Sequence, residues 1–437
     1  MRICIYADNS SKYIDILLDI WSHGDCAVLI DPRIPFEVAL DYMIMCEVEK
    51  SYIDVDIEDF KGRKDEAAKG IEFFRVEKEP IKCYCSERPL NDFSPELLHK
   101  EALILFSSGT TGRSKGIVLD YYSIEKNAKM IIDYMHPDSK EKIFIVKSLA
   151  HSSTIVGELL VALKTKMKIV LGSTNQHMGS IWNNIRKHGV TIICLNPTLL
   201  HLLTQYLSHI TSRDRICDLK KIYTSGSIIN KSDIEKFHEI FRNIPIFNVY
   251  GLTEAGPRVT AQRIEEPLGS VGQPIGDVKI VVTDLNGKIL DNGKTGIVSV
   301  KTDCRFVKYI VSEEKQFRKS IYKDWINTGD LGYIDSQGNL FILGRADRMI
   351  VCGSHNVYPE QVEDILLKLD DIDDCFVHSV YDDTIGNKLV CLYEGSAELD
   401  YKYLLKHCAK YLAPYEIPKE FIYGKIPRTS NGKKKPI

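Results

Sequence analysis

Short apolar runs alternate with amphipathic stretches over the first half of the chain. Residues 2–6 and 26–30 are apolar runs typical of buried strands, and the apolar positions between Tyr13 and Trp21 recur at helical spacing. The segment D-P-R-I-P at 31–35 leads into a further helical pattern. This strand–helix rhythm predicts a largely parallel sheet covered by helices.

The same rhythm resumes after residue 120. The spacing of apolar residues predicts helices over 121–135, 153–164, 178–188, 197–208 and 230–241. It predicts strands over 142–148, 167–171, 190–194, 219–224 and 245–250. We therefore expect one large α/β domain with mostly parallel sheets.

The pattern changes near residue 268 to an alternation of apolar and polar residues. Asn286-Gly287 and Asn292-Gly293 are strong hairpin signals, which predict a β-rich subdomain over about 268–343. Beyond Arg348, a proline-initiated helix is predicted over 359–369. A compact α+β unit is completed by strands near 374–380, 387–394 and 419–423 and a helix near 399–411. The predicted fold class is thus α/β, with a small α+β C-terminal domain.

One stretch after a predicted buried strand has the composition of a phosphate-binding loop. Leu103 to Phe106 are apolar, and the segment 107–116 that follows is rich in hydroxyl side chains and glycine and carries Arg113 and Lys115. Glycine lets backbone amides approach a ligand closely, and turned amides with hydroxyls form an anion nest. The spacing differs from the P-loop G-x-x-x-x-G-K-[ST], which disfavours a kinase or GTPase.

Two further segments carry candidate nucleotide-binding chemistry. N-V-Y-G-L-T-E-A-G at 248–256 ends a predicted strand in a glycine turn, where Tyr250 offers a flat face for a base. The carboxylate of Glu254 suits Mg²⁺, which prefers oxygen ligands. In N-T-G-D-L at 327–331, Asp330 could accept the hydroxyl protons of a ribose.

These segments resemble the motifs of the ATP-dependent acyl-adenylating enzymes, the superfamily of acyl-CoA synthetases, carrier-protein adenylation domains and firefly luciferase. The resemblance spans essentially the whole chain through five motifs in the right order. Ser114 occupies the position where proline is usual in the first motif. The residues of that motif that match the phosphate loop are Ser108, Gly109, Thr110, Thr111, Gly112, Lys115 and Gly116.

The resemblance implies a role for each matching residue. It places Tyr250 against the adenine, Thr253 near the α-phosphate, Glu254 on Mg²⁺ and Asp330 on the ribose, and it includes Gly251 among the nucleotide-binding residues. Other nucleotide contacts are implied for Arg345, and secondary ones along the adenine and acyl pocket for Ser225, Gly226 and Ser227.

The remaining implied roles concern the acid and the acceptor. His151 would lie beside the substrate carboxylate, and Lys433 in P-R-T-S-N-G-K would bridge that carboxylate and the α-phosphate. A single positioned ammonium would offset the negative charge that gathers as the carboxylate attacks phosphorus. The thiol acceptor would face Gly353, Ser354, His355 and Asn356.

The resemblance also implies a domain division. Residues 1–346 would form a large ATP- and acid-binding domain with a shortened N-terminus. Residues 347–437 would form a small mobile catalytic lid that rotates about a hinge at Asp347 between the two half-reactions.

The reaction implied is AMP-forming ligation of a carboxylic acid to a thiol through an acyl-adenylate. Amino-acid-activating relatives usually place Asp where this chain has Ser152, which disfavours an α-amino acid. We expect an aryl or small-to-medium acyl acid, with either coenzyme A or a carrier-protein phosphopantetheine as acceptor. Two alternatives are a non-catalytic nucleotide sensor and a phosphotransferase that releases ADP.

Composition and charge limit the classes of protein to which the chain could belong. A formal net charge of −3 gives no electrostatic argument for nucleic-acid binding. No apolar run approaches the roughly 20 residues of a membrane-spanning helix. The twelve cysteines are scattered, without zinc-site spacing, and Cys194 and Cys375 fall in predicted strands, as expected of small buried hydrophobes. We expect a reduced, cytoplasmic protein.

Overall fold

The computed structural model describes residues 1–55, 70–77, 83–84, 90–107, 115–229, 231–284, 286–310, 321–322, 324–352, 355–382, 386–428 and 434. In chain order, the strands of these residues are β1 (Arg2–Tyr6), β2 (Cys26–Leu29), β3 (Lys50–Ile53), β4 (Glu72–Arg75), β5 (Cys83–Tyr84), β6 (Glu101–Ser107), β7 (Lys115–Asp120), β8 (Lys142–Ile145), β9 (Lys168–Leu171), β10 (Ile192–Leu195), β11 (Lys221–Thr224), β12 (Ile246–Tyr250), β13 (Thr260–Ala261), β14 (Gln273–Pro274), β15 (Lys279–Thr283), β16 (Gly296–Lys301), β17 (Lys308–Ile310), β18 (Ile321–Tyr322), β19 (Trp325–Ile334), β20 (Leu340–Arg345), β21 (Ile350–Cys352), β22 (His355–Val357), β23 (Ile372–Asp382), β24 (Gly386–Gly395) and β25 (Glu420–Tyr423).

Helices cover the large sheets and complete the C-terminal unit. They are α1 (Ser11–Ser22), α2 (Phe36–Met45), α3 (Tyr121–Met135), α4 (Ser152–Thr154), α5 (Val161–Thr165), α6 (Met178–His188), α7 (Pro197–Ser208), α8 (Lys231–Ile240), α9 (Pro359–Leu366) and α10 (Tyr401–Ala409). A π-helical segment, Ile155–Leu160, joins α4 to α5 without a break. None of the helices in the described ranges is long and apolar enough to cross a membrane.

Local capping explains where the best-predicted helices begin. The Asp120 side chain accepts a hydrogen bond from the backbone N–H of Ser123 at the start of α3. Asn196 does the same for Leu199 at the start of α7, where Pro197 occupies the first helical position. Such caps satisfy amides that have no partner within the helix. Both helices have the bounds that the apolar spacing predicts.

Two large sheets carry parallel strands at their centres. The first has the order β17-β7-β6-β2-β1-β3-β4, with β6, β2, β1, β3 and β4 parallel. The second has the order β14-β13-β12-β11-β10-β8-β9-β5, with β12, β11, β10, β8 and β9 parallel. The carboxyl ends of parallel strands share one edge of a sheet, which is where α/β proteins bind ligands.

The two large sheets share one hydrophobic core. Ile143 and Ile145 of β8 belong to it, whereas Phe144 between them belongs to a second core on the other face. Apolar side chains of α1, α3 and the π-helical segment fill the shared core, and those of α6, α7 and α8 fill the second. The sheet that carries Tyr250 is therefore covered on both faces, as parallel sheets require.

Two smaller units follow. Strands β15, β16, β19, β18 and β20 form an antiparallel sheet, and β23, β24 and β25 form a separate sheet that packs with α9 and α10 around its own core. Cys194 and Cys375 are buried within β10 and β23, as predicted. The predicted α/β fold class, with its β-rich subdomain and small α+β unit, is confirmed.

The structure departs from the sequence prediction in several places. Strand β17 lies within the span predicted as β-rich, yet it pairs with β7 of the first large sheet. The predicted helix 153–164 contains the π-helical segment, which no local pattern indicates. Strands β4 and β5 were not predicted, and β4 is mostly exposed, so it lacks the apolar run that identifies a buried strand.

Gly272 provides a test of the packing beside β14. Its φ is +78°, and a Cβ there would lie 2.1 Å from the backbone carbonyl carbon of Ala261. We expect Gly272→Ala to lower the free energy of unfolding by about 1–2 kcal/mol through backbone strain and about 1–3 kcal/mol more through the clash. The control Gly293→Ala, with φ +81° and no atom within 4 Å, should show the strain alone. Equal losses in thermal unfolding would contradict this account.

Candidate active site

Residues from several motifs meet at the carboxyl edge of the second sheet. Tyr250 is the last residue of β12, and Ser225 directly follows the last residue of the neighbouring β11. The Ser225 backbone N–H donates to the carbonyl oxygen of Leu195, which ends β10. Gly226 has a φ of +103° and open space where a Cβ would lie. Gly226 and Ser227 are exposed, so this edge is accessible beside Tyr250.

The Asp330 carboxylate connects two motifs that are distant in sequence. The Tyr250 hydroxyl donates to Asp330 Oδ2 at 2.6 Å, and Arg345 Nη1 donates to Oδ1 at 3.0 Å. Arg345 also donates to the carbonyl oxygen of Thr328 at 2.9 Å. Burial raises the pKa of the Asp330 carboxyl, while the adjacent guanidinium opposes that shift. Burial and the nearby Asp330 charge raise the pKa of Tyr250, so its hydroxyl remains a donor.

Arg345 lies two residues before Asp347, the predicted hinge. Its Nε is 3.5 Å from Asp347 Oδ1, so the same guanidinium contacts both Asp330 and Asp347. Arg348, on the other side, pairs with Glu360 and Glu363 of α9 at 2.8 and 2.9 Å. The ionic contacts of the chain therefore change from the large unit to the small one between residues 345 and 348.

The turn after Tyr250 is fixed to two other elements. Thr253 Oγ1 and Ser152 Oγ are 2.8 Å apart, which joins the turn to the start of α4. The Tyr309 hydroxyl of β17 donates to Glu254 Oε1 at 3.0 Å. Lys115 Nζ lies 5.3 Å from the Tyr309 ring centroid, within range of a cation–π interaction. Strand β17 thus brings the end of the predicted phosphate loop next to Glu254.

His151 has a buried acidic partner. Its Nε2 lies 3.2 Å from Oδ2 of Asp31, which is 4% exposed. Arg33 binds the same carboxylate through two hydrogen bonds, at 2.6 and 2.9 Å. Although burial opposes ionisation, hydrogen bonds from Arg33 and His151 hold the pKa of the Asp31 carboxyl below its ordinary value. The loop after β2 thereby positions His151.

Several predicted site residues lie outside the described residues. These are Lys433 and Ser108, Gly109, Thr110, Thr111, Gly112, Gly353 and Ser354. His355 and Asn356 belong to β22, of which the backbone is described. Lys434, next to Lys433, lies 2.7 Å from Asp374 Oδ1 and 3.6 Å from Glu363 Oε2. Lys434 is therefore engaged in ion pairs within the small unit.

Family models match both units of the chain. Residues 1–310 match the model described as AMP-binding enzyme, and residues 361–433 match the AMP-binding enzyme C-terminal domain. The chain belongs to the AMP-binding enzyme family. The predicted membership of the acyl-adenylating superfamily is confirmed.

Curated relatives of this AMP-binding enzyme are similar at low identity. The 2-succinylbenzoate–CoA ligase of Bacillus cereus (strain Q1) is 24% identical over 439 residues, which cover 99% of this chain and 86% of that protein. The oxalate–CoA ligase of Saccharomyces cerevisiae is 27% identical over 341 residues, which cover 76% of this chain and 61% of that protein. The chain thus spans less than two thirds of the oxalate ligase.

Solved structures establish the same fold. The o-succinylbenzoate CoA synthetase from Bacillus subtilis, in complex with the acyl-adenylate intermediate OSB-AMP, has a TM-score of 0.82 at 21% identity, with 99% of this chain and 86% of that chain covered. ATP-bound MatB from Rhodopseudomonas palustris has a TM-score of 0.85 at 19% identity, with 99% and 87% covered.

Sequence reasoning missed Asp31, Arg33 and Tyr309 as site residues of this AMP-binding enzyme. Asp31 comes just after β2, a position where the carboxyl-edge rule could have raised it as a candidate. Its partner His151 is 120 residues away, which no local pattern connects to Asp31. Tyr309 became relevant only because β17 crosses to the first sheet.

The contacts of Asp31 with Arg33 and His151 predict that the free energy of unfolding depends on pH. Because the pKa of Asp31 is lowered on folding, its contribution to stability is present above the unfolded-state pKa of about 4 and is lost as pH falls below it. Asp31→Asn should therefore cost about 2 kcal/mol of unfolding free energy at pH 7, and about 1 kcal/mol less at pH 3.

The measurement is unfolding of wild type and variant at several pH values. The control Asp19→Asn removes a carboxylate that is 71% exposed and should change stability little. A loss that is the same at pH 7 and pH 3 would show that charge on Asp31 is not the stabilising element.

Proposed function

We propose that this chain activates a carboxylic acid with MgATP as an acyl-adenylate and then transfers the acyl group to a thiol. The observation that carries the proposal is the convergence of Tyr250, Thr253, Glu254, Asp330 and Arg345 at one sheet edge. These residues come from three motifs of the AMP-binding family. Hydrogen bonds join Tyr250, Asp330 and Arg345 to one another, Thr253 to Ser152, and Glu254 to Tyr309, beside an accessible surface.

The nucleoside is proposed to lie along this edge. The adenine would contact the Tyr250 ring, the half-buried Ser225 and the exposed Gly226 and Ser227. The ribose hydroxyls would donate to Asp330, which retains acceptor capacity because each carboxylate oxygen has more than one lone pair. Arg345, already on Asp330, would contact the ribose or a phosphate.

The triphosphate is proposed to extend toward Lys115 and the segment 108–112. Glu254 is a hard oxygen ligand, and its contact with Tyr309 leaves acceptor sites on both oxygens. No group of three or more metal-ligating side chains occurs in the described ranges. A nucleotide-bound Mg²⁺ needs only one or two carboxylates besides phosphate oxygens, so Glu254 fits. Bound there, Mg²⁺ would neutralise charge on the phosphates.

In the first step, a substrate carboxylate oxygen attacks the α-phosphorus. A new oxygen–phosphorus bond forms, the bond to the bridging oxygen breaks, and pyrophosphate leaves. Thr253 would hold an α-phosphate oxygen, and its Ser152 partner fixes its hydroxyl direction. His151, positioned by Asp31, would lie beside the carboxylate, and Lys433 would offset the charge that accumulates in the transition state.

In the second step, the thiol sulfur attacks the acyl carbonyl carbon. The thiol proton is released, the carbon–oxygen bond to the phosphate breaks, and AMP leaves. The segment 353–356 would face the acceptor after the small domain, residues 347–437, has rotated about Asp347. The described ion pairs between the two domains include the exposed Lys236–Asp370 pair at 2.7 Å, and exposed pairs resist rotation little.

The acid is proposed to be an aryl or small-to-medium acyl acid. Ser152 forms a hydrogen bond with Thr253 and offers no carboxylate to pair with the α-amino group of an amino-acid substrate. Coenzyme A is the acceptor named in both curated relatives, which favours it over a carrier-protein phosphopantetheine. We propose a cytoplasmic location, where ATP and coenzyme A are available.

ATP–pyrophosphate exchange against a panel of carboxylic acids tests the proposal. Exchange that depends on one acid class, with AMP released when thiol is added, is the expected result. Lys433→Met should lower exchange on the order of 100-fold, because the transition-state charge loses its cation, with little effect on MgATP binding. The control Lys425→Met removes an exposed lysine and should behave as wild type.

Other results would favour the alternatives. ADP release would indicate a phosphotransferase, and MgATP binding without exchange for any acid would indicate a nucleotide sensor. Full exchange by Lys433→Met would overturn the proposed mechanism even if the acid is found.

Asp330 supplies a separate prediction for nucleotide binding. Asp330→Asn keeps the shape of the side chain but loses the charge that Arg345 and a ribose would share, so KM for MgATP should rise about 10-fold or more. Asp303→Asn, which removes a carboxylate that is 66% exposed, is the matched control. An unchanged KM for MgATP in Asp330→Asn would exclude the ribose contact.

A further inference from the structure

A buried cluster of charges lies beside the proposed acid site. Lys147 Nζ is 2.9 Å from Glu158 Oε1, and the Glu158 side chain is fully buried. Arg258 is 4% exposed, yet its Nη1 has no hydrogen-bond partner among the described residues. No described carboxylate forms an ion pair with Arg258, whereas most buried polar groups are paired.

The cluster lies at the carboxyl edge of the second sheet. The Arg258 guanidinium is 5.4 Å from the ring centroid of Tyr223, the next-to-last residue of β11. Lys147 follows the end of β8 by two residues. This is the edge at which Tyr250 and Ser225 lie, so the cluster shares the side of the sheet where ligands bind.

The residues of the cluster lie close to two elements of the proposed site, the turn at Thr253 and the helix that begins at Ser152. Arg258 follows the Thr253 turn, and its backbone passes so close to Gly251 that a Cβ there would lie 3.0 Å from the Arg258 Cα. Its Nη2 is 3.6 Å from the position of a Cβ on Gly157, so the guanidinium lies against bare helix backbone. Gly157 follows Ser152 by five residues, or about 7 Å along the helix axis.

The described neighbours leave the cluster with a net positive charge. Burial raises the pKa of the Cys194 thiol to about 12 and that of Tyr223 above its ordinary value, so both remain neutral near pH 7. The one carboxylate of the cluster, Glu158, lies 2.9 Å from Lys147 Nζ, and its charge is shared between Lys147 and Arg258. Burial raises its pKa, and neither of its oxygens has a hydrogen-bond partner among the described residues. The cluster thus carries at least one net positive charge, which is costly in a buried site without an anion.

We propose that Arg258 binds a second acidic group of the substrate, so that the enzyme activates acids with a carboxylate or similar anion at the far end of the acyl chain. This inference rests on the proposed function. The reacting carboxylate would lie near His151 and Thr253, and the second anion would lie on the order of 7 Å further along the helix that begins at Ser152. That separation fits a five- or six-carbon dicarboxylate or an aryl dicarboxylate.

The test compares matched acids in ATP–pyrophosphate exchange with the full chain. The pairs are glutarate with valerate, adipate with hexanoate, and terephthalate with 4-methylbenzoate. For at least one pair, the diacid should have a kcat/KM about 10- to 100-fold higher, the range expected for a charge-assisted hydrogen bond. A preference for the monoacid, or no difference, in all three pairs would overturn the inference.

Variants of Arg258 test whether this residue causes the preference for the diacid. Arg258→Met should remove the preference for the diacid while KM for MgATP stays near wild type, and Arg258→Lys should retain part of the preference. The control Arg263→Met, which removes an arginine that is 50% exposed, should leave the preference unchanged. If Arg258→Met retains the full preference, the inference is wrong. If Arg258→Met does not bind MgATP, the inference is tested by the diacid preference of the wild-type enzyme and by whether Arg258→Lys retains part of that preference.

The outcomes separate this inference from the function on which it rests. Exchange with monoacids alone would leave adenylation intact and overturn the role of Arg258. Absence of exchange with every acid would overturn the proposed function and, with it, this inference.

Discussion

The buried carboxylate of Asp330 joins three parts of this protein that are distant in sequence. Tyr250 reaches it from the end of β12, and Arg345 reaches it from β20, next to the hinge. A buried carboxylate is tolerated only when hydrogen bonds replace the water it has lost. Its two partners therefore fix the second large sheet, the antiparallel sheet and the start of the small domain in one arrangement. A nucleotide that binds at this edge meets groups that are already oriented.

The other buried charges meet this requirement to different degrees. Asp31 is satisfied by Arg33 and His151, so it fixes the direction of an imidazole from across the two sheets. Glu158 and Lys147 form a buried ion pair, although neither Glu158 oxygen has a hydrogen-bond partner among the described residues. Arg258 has an unpartnered donor in the part of the chain that the structure describes. Buried polar groups are normally hydrogen-bonded, and the proposed second anion of the substrate would supply the partner that Arg258 lacks.

Sequence patterns predicted the structural features that depend on residues close together in the chain. The bounds of α3 and α7 follow from their own apolar spacing and capping residues, and family motifs located Tyr250, Thr253, Glu254, Asp330 and Arg345. The contacts of these residues could not be predicted in the same way. The Asp31–His151 pair and the approach of Tyr309 to Glu254 depend on pairing between distant segments. All six residues of the π-helical segment Ile155–Leu160 are buried, and no local periodicity indicates its geometry.

The arrangement of ionic contacts would separate the proposed substrate selection from the proposed domain motion. Arg345 is hydrogen-bonded within the large unit and Arg348 within the small one, so the proposed rotation at the intervening residues would leave both sets of contacts intact. The cores of the two domains are also separate. Every residue proposed to select the acid, from His151 to Arg258, belongs to the large domain, whereas Lys433 and the segment 353–356 belong to the small one. The acid pocket would therefore keep one shape through both half-reactions, and rotation would change only the groups that face the reacting carbonyl.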